Sequence, residues 1–325
     1  MNESRTAIYG AIAANIAIAV SKFIVAGITG SSVMISEGVH STVDTFNDFL
    51  LLLGVKFSQR PATQEHPFGH GKELYFWSLI VAVLIFGVGG GISAYEGILH
   101  MRAPAPMKEP LWNYIVLGVA AIFEGASFLI ALRQFRAEND AADFAEALRN
   151  NRDPSTLSVV AEDGAALIGL AIAACGTFLS HALDMPVIDG AASTLIGLLL
   201  CGVAIFLMQQ LRGLLVGEGI RPDTSAAIRR ITQNHPSVCK VGPILGMYMG
   251  ADDILLTLDV EFQAKTTASE VARAVDAIER EIRAAYPKIK RIYIEGRSLT
   301  ASVRVEGEII HGAGPDPMAA DTAAG

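Results

Sequence analysis

His40 and Asp44 stand four residues apart in a long apolar run, so on a helix they project from one face. An imidazole and a carboxylate placed this way make half of a tetrahedral site for a borderline divalent ion such as Zn²⁺. The same spacing suits a His–Asp ion pair that ties helices together, and spacing alone does not separate the two. Another apolar run carries two adjacent acids, Glu162 and Asp163. One acid near a helix start is favoured by the dipole; two require a cation nearby. Neighbours on a helix point about 100° apart, so the pair is not expected to face one ion squarely. Glu124 is a third acid in an apolar run. Its first reading is a partner for a polar group on another helix, such as Asn15, and its second is metal ligation. Even the mildest scale puts an ionisable group at the centre of a membrane helix at about 2.5–3.5 kcal/mol, so each of these residues needs a reason to be there.

The most distinctive string is Glu65-His-Pro-Phe-Gly-His-Gly-Lys-Glu73. His66 and His70 flank a Pro–Gly turn beside an acid, as a second metal site would require. A loop that caps helix ends through Lys72 and Glu73 reads equally well.

The elements that must position these side chains follow from hydropathy. A bilayer core of about 30 Å needs about 20 mostly apolar residues per helix. Six stretches qualify: 6–28, 33–57, 74–100, 111–132, 157–181 and 188–210. Gly27, Gly30, Arg60-Pro61, Pro104, Pro106, Pro110, Pro154 and Pro186 punctuate them. Charge agrees with this division. Of 25 Lys/Arg and 33 Asp/Glu, residues 1–211 hold 11 and 18, leaving 14 and 15 for 212–325. Hydrophobic residues make up 51% of the 325-residue chain. A single soluble globule is excluded, and a membrane part followed by a polar part of about 100 residues is expected. The first apolar run has no small-residue cleavage site followed by a polar region, so it is expected to be a retained span.

Basic residues cluster on one side: Arg5, then Lys56, Arg60 and Lys72, then Arg133, Arg136, Arg149 and Arg152, then Arg212. The other side has only Arg102 and Lys108. The positive-inside rule puts both termini in the cytoplasm, and the expected location is a cell inner membrane.

Beyond Arg212 a polar helix is expected from Asp223, as N-cap, to about His235. Strands follow at 238–249 and 254–262, where Leu256, Leu258 and Val260 alternate with Thr257, Asp259 and Glu261. Residues 267–286 read as an amphipathic helix and 288–296 as a final strand. The order αββαβ predicts a small ferredoxin-like α+β domain over 212–300, with 301–325 a disordered tail. A net charge of −8 argues against nucleic acid. Cys175, Cys201 and Cys239 have no metal or redox spacing and are expected to pack as free thiols.

His40-Ser-Thr-Val-Asp44 on the second span, the His66-Pro-Phe-Gly-His70-Gly-Lys72-Glu73 loop, six spans and a C-terminal α+β domain together resemble the cation diffusion facilitator family. The resemblance covers residues 5–300. It implies a homodimeric, proton-coupled exporter of a divalent metal, with zinc as transported substrate rather than cofactor. It also implies a four-residue site on spans two and five, which maps onto His40, Asp44 and Asp163. The family's remaining ligand position is Val159 here, leaving water, Glu162 or Glu124 for the fourth place. A family Asp three residues before the first loop His is replaced by Thr63, and the core of the C-terminal domain has no histidine. The Val-Val-Ala-Glu-Asp-Gly-Ala-Ala segment resembles the subgroup of mitochondrial zinc exporters. The alternative metals are Fe²⁺, Co²⁺ and Mn²⁺. The alternative functions are a non-transporting scaffold or metal sensor and, well below it, an intramembrane hydrolase. No HExxH helix or serine-nucleophile motif supports an enzyme.

Overall fold

Long runs without water-facing polar groups must satisfy their own backbone hydrogen bonds, which helices do. A computed structural model describes residues 2–104, 109–138 and 154–298. Its first part is built from α1 (Asn2–Thr29), α2 (Ser32–Ser58), α3 (Glu73–Leu84), a π-helical segment (Ile85–Ile92), α4 (Ser93–Arg102), α5 (Leu111–Glu138), α6 (Pro154–Ala182) and α7 (Val187–Val216). The segment from α3 to α4 runs as one helical unit, so each of the six apolar stretches falls on one such unit. Four units are long and apolar enough to cross a membrane: Glu73–Arg102, Leu111–Arg133, Leu157–Ala182 and Val187–Val216. In α1 the side chains are described only from Asn15, and Asn15–Thr29 is an apolar helix with Lys22 as its one charged residue, while α2 is diluted by Glu37, Asp44 and Asp48. Lys108, Arg149, Arg152 and the 301–325 tail lie outside the described residues.

Large apolar side chains point outward over this helical part, among them Ile122, Ile130, Phe178 and Leu198. In water that surface would be an aggregation liability; against acyl chains it is neutral, and the protein is of the helical membrane type. Inside, Met34, Val81, Ile85, Ala173, Ile196, Leu200 and Leu207 form one buried cluster.

Two devices fix the helices that matter for the site. Gly90 and Gly97 of the third unit meet Gly190 and Gly197 of α7 so closely that a methyl on any of them would strike the facing backbone. Small residues at such seams let membrane helices approach to van der Waals distance. The π-helical turn falls at the glycine-rich part of this seam, Gly87, Gly89, Gly90 and Gly91. The start of α2 is held by Asp189 of α7. Its carboxylate accepts from the Ser32 and Val33 backbone N–H groups (2.6 and 3.2 Å) and from the Ser31 and Ser32 hydroxyls (2.7 and 3.0 Å).

The polar part contains α8 (Pro222–Gln233), β1 (Val238–Gly250), β2 (Asp253–Phe262), α9 (Ala268–Ala285) and β3 (Ile289–Ser298). Strand order is β1-β2-β3, with β1 and β2 antiparallel and β2 and β3 parallel. Leu256, Leu258 and Val260 are buried, as their alternation predicts, against Ala274, Ile278 and Ile282 of α9 and Ile228 of α8. α9 opens with a reciprocal capping box between Thr267 and Glu270.

Two expectations need correction here. Asp223 is not the N-cap of α8: Arg221 is, and Pro222 and Asp223 lie in the first turn. Proline's preset φ suits the first helical position, and Asp223 keeps its favourable place by the dipole and pairs with Arg221 at 3.7 Å. Cys175 and Cys239 are exposed rather than packed, and only Cys201 is half-buried, near the Phe86 carbonyl.

Candidate metal site

One face of α2 repeats at helical spacing through Glu37, Ser41, Asp44 and Asp48. α6 turns Val159, Glu162, Asp163 and Ala166 toward it, while α1 brings Asn15 and Ile18 and α5 brings Glu124 and Ser127. Together they line a cavity of about 100 Å³ that holds Asp44, Asp48, Glu124, Glu162 and Asp163 on its walls. Acids from α2, α5 and α6 therefore meet at one place.

The hydrogen bonds show which of these groups are committed. Asp163 accepts from the Ser127 hydroxyl at 2.8 Å, Glu162 from the Asn47 amide at 3.2 Å, and Asp48 from the Asn15 amide at 3.2 Å. His40 is buried, with its Nδ1 3.4 Å from Asp44 Oδ1. Neither of its ring nitrogens has a hydrogen-bond partner among the described residues, and the same holds for Asp44 Oδ1, Glu162 Oε1 and Glu124 Oε2. Buried polar atoms without partners are costly unless something else satisfies them, and a cation is one such partner. Among the described residues, no three His, Cys, Asp or Glu side chains converge closely enough to hold a metal ion.

Glu162 and Asp163 point to different neighbours, Asn47 of α2 and Ser127 of α5, while both reach the cavity wall. That agrees with two adjacent helical positions. Glu124 does pair with a polar group on another helix, but the group is not Asn15. Lys22 of α1 donates to Glu124 at 3.2 Å, to Glu37 at 2.9 Å and to the Ser41 hydroxyl at 2.8 Å. Asn15 goes to Asp48 because it lies two turns earlier on α1, opposite the later part of α2.

Sequence reasoning missed Lys22, Glu37, Asn47, Asp48 and Asp189. Their signal was present: Lys22 and Glu37 are ionisable residues inside expected spans, where each needs a partner.

The loop histidines lie apart from this cavity. His66 and His70 stack with ring centroids 4.5 Å apart, and His70 Nδ1 is 3.2 Å from the Pro61 carbonyl oxygen. Lys72 donates to the Leu215 carbonyl at the end of α7, and Glu73 accepts from the Trp77 indole. The helix-capping reading holds for Lys72, which reaches a carbonyl in the last turn of α7, and not for Glu73, whose bond stays one turn on within α3. Gly71 abuts the backbone at Met249 and Gly250, the end of β1, and the Arg291 guanidinium lies over Phe68.

Comparison with known proteins places this arrangement. Residues 8–215 match the family described as the cation efflux transmembrane domain. The chain is 34% identical over 259 residues to a proton-coupled zinc antiporter, SLC30A9, of Xenopus laevis, covering 78% of this chain and 46% of that protein. It is 30% identical over 264 residues to metal tolerance protein C4 of Arabidopsis thaliana, covering 81% and 58%. It is 27% identical over 315 residues to the magnetosome protein MamM of Paramagnetospirillum magneticum, covering 94% and 90%. The chain spans about half the length of the vertebrate antiporters it matches. The family is one of transporters rather than enzymes, and the match, from residue 8 to 215, extends over all six apolar stretches but for the first two residues of the first. The protein is therefore a member of the cation efflux, or cation diffusion facilitator, family, of the kind similar to the mitochondrial zinc antiporters.

Proposed function

We propose that the protein exchanges a divalent cation, zinc first, for protons and exports it from the cytoplasm. The cavity between α2 and α6 carries this reading, because Asp44 and Asp163 stand on its walls; His40 is not among the lining residues, but its buried imidazole lies 3.4 Å from Asp44 and has no hydrogen-bond partner among the described residues. In the proposal these three groups bind the ion deprotonated, after a small convergence of α2 and α6, and water takes the fourth position. Val159 lines the cavity one turn before Asp163 and has no donor atom to offer. Imidazole suits zinc better than octahedral, all-oxygen Mg²⁺. Protons compete with metal for the same lone pairs, and an ordinary imidazole titrates near the pH values that separate the two sides of a membrane. The similarity to SLC30A9 supports both zinc and proton coupling.

In the same proposal, residues 1–211 form a six-span transport domain with both termini in the cytoplasm, in a cell inner membrane. Residues 212–300 form a ferredoxin-like domain that pairs two copies without metal, and 301–325 is a tail. The test is zinc uptake into inverted vesicles under a pH gradient. H40A and D44A are expected to lose most uptake; transport at the parent's rate in both would remove the site assignment.

A second reading, a metal sensor or scaffold with a partly lost site, is favoured only by Val159 standing where a ligand would complete the set. Zinc binding without pH-driven flux would select it.

A further inference from the structure

Lys22 is fully buried, and its three ammonium protons are all directed to acceptors: Glu37, Ser41 and Glu124. It thereby ties α1 to α2 and α5 at the wall of the acid-lined cavity. One ammonium thus stands within ion-pair distance of two acids, Glu37 at 2.9 Å and Glu124 at 3.2 Å. A mere tie between helices would be made as well by apolar packing, since ion pairs taken out of water gain little over a hydrophobic replacement. The position of Glu124 indicates what the charge accomplishes. Its Oε1 is bound by Lys22, its Oε2 has no hydrogen-bond partner among the described residues, and the residue shares the cavity with Asp44 and Asp163. It is the acid within reach of the cavity that a fixed cation restrains.

We propose that Lys22 determines metal specificity: as a tethered cation it satisfies Glu37 and Glu124, and so keeps the Glu124 carboxylate out of the cargo's coordination. This rests on the site proposed above. With Lys22 in place, the ion meets one imidazole and two carboxylates, a set that suits zinc. Without it, Glu124 adds oxygen donors and the nearby positive charge is gone. Oxygen-rich, higher-coordinate surroundings favour Mn²⁺ relative to Zn²⁺. Lys22 is a positioning residue, because it acts through Glu124 and touches no cargo.

The experiment measures Zn²⁺ and Mn²⁺ affinities of the purified full-length chain by competition titration, in the parent, K22M, K22M/E37Q and K22M/E124Q. In K22M the Zn²⁺/Mn²⁺ affinity ratio is expected to fall about tenfold toward Mn²⁺. K22M/E37Q removes the second unpaired acid, guards against a failure of K22M to fold, and is expected to show the same shift. K22M/E124Q is expected to return the ratio to the parent's value, which a purely structural loss would not do. An unchanged ratio in K22M or K22M/E37Q, or a shift that persists in K22M/E124Q, overturns the inference. D44A separates the two levels. If D44A weakens zinc binding and the ratio still ignores Lys22, only the role of Lys22 falls; if D44A binds zinc like the parent, the site itself is misplaced and the inference falls with it.

Discussion

The Asp189 carboxylate accepts a 2.6 Å hydrogen bond from the Ser32 backbone N–H, joining the first turn of α7 to the first turn of α2. The first N–H groups of a helix have no partner within it, and an anion at that end also meets the positive pole of the dipole. Asp189 supplies both, together with two serine hydroxyls and the Val33 N–H. It sets where α2 begins, and so where His40 and Asp44 stand two and three turns further on.

Replacing Asp189 with Ala leaves buried donors at Ser31, Ser32 and Val33 unsatisfied. Charge-assisted bonds of this kind are each worth about 1.5–3 kcal/mol. D189A should therefore lose at least about 2 kcal/mol, read as a lower melting temperature of the purified protein. D189N keeps an acceptor for part of the network and should fall between parent and D189A. Equal melting of all three proteins would show that the contact contributes nothing.

The glycine seam between the third unit and α7 makes a contrast within one helix. A methyl on Gly197 would meet the Ala94 backbone nitrogen and lie 2.7 Å from the Gly90 carbonyl oxygen, whereas one on Gly202 meets nothing within 4 Å. Overpacking of this kind costs about 1–3 kcal/mol, while open positions change stability by about 0.5 kcal/mol or less. G197A should reduce folded yield and melting temperature, and G202A should match the parent. A G197A protein as stable as G202A would mean that the two helices separate without cost.

What the sequence disclosed and what it withheld differ for a physical reason. The His40–Asp44 pair, the Glu162–Asp163 step and the alternation of Leu256, Leu258 and Val260 are local patterns, set by helical and strand periodicity. The pairing of Lys22 with Glu124, 102 residues apart, depends on which helices pack together, and so does the reach of Asp189 to Ser32. Local spacing does not carry that information. The Asn15–Glu124 pairing failed for this reason: two polar residues inside spans were matched by type, while packing order placed Lys22 nearer. The departure at Asp223 is of a different kind, since Asp suits both the cap and the first turn, and the preceding Pro222 decides between them.

The capping box of α9 gives a pH-dependent prediction outside the helical membrane part. Hydrogen bonds from the Thr267 backbone and hydroxyl hold the Glu270 carboxyl below its ordinary value. A depressed carboxyl stabilises the folded state above the unfolded pKa, and loses that contribution as pH falls through the folded one. Melting of the parent should therefore exceed that of T267V by most above about pH 5, and the gap should narrow as pH drops below the ordinary carboxylate range, because the hydroxyl's bond to the Glu270 carboxylate is lost there. A gap between them that stays constant with pH would assign the whole effect to the Thr267 hydroxyl capping the Glu270 backbone N–H, which does not depend on the carboxyl's charge.

Val159 faces the cavity one turn before Asp163, on the same side of α6. An imidazole there would add a neutral nitrogen donor beside Asp163 and across from Asp44, without adding charge to a wall already rich in acids. V159H should therefore bind zinc about tenfold more tightly than the parent in competition titration, since a protein ligand replaces a water in the tetrahedral set. Transport need not rise with affinity, because an ion held more tightly leaves more slowly. The expected pattern is tighter binding with equal or slower pH-driven flux. If V159H binds zinc no better than the parent, the fourth position is filled by another side chain, and E162Q in the V159H background identifies it: a further loss of affinity would assign that place to Glu162.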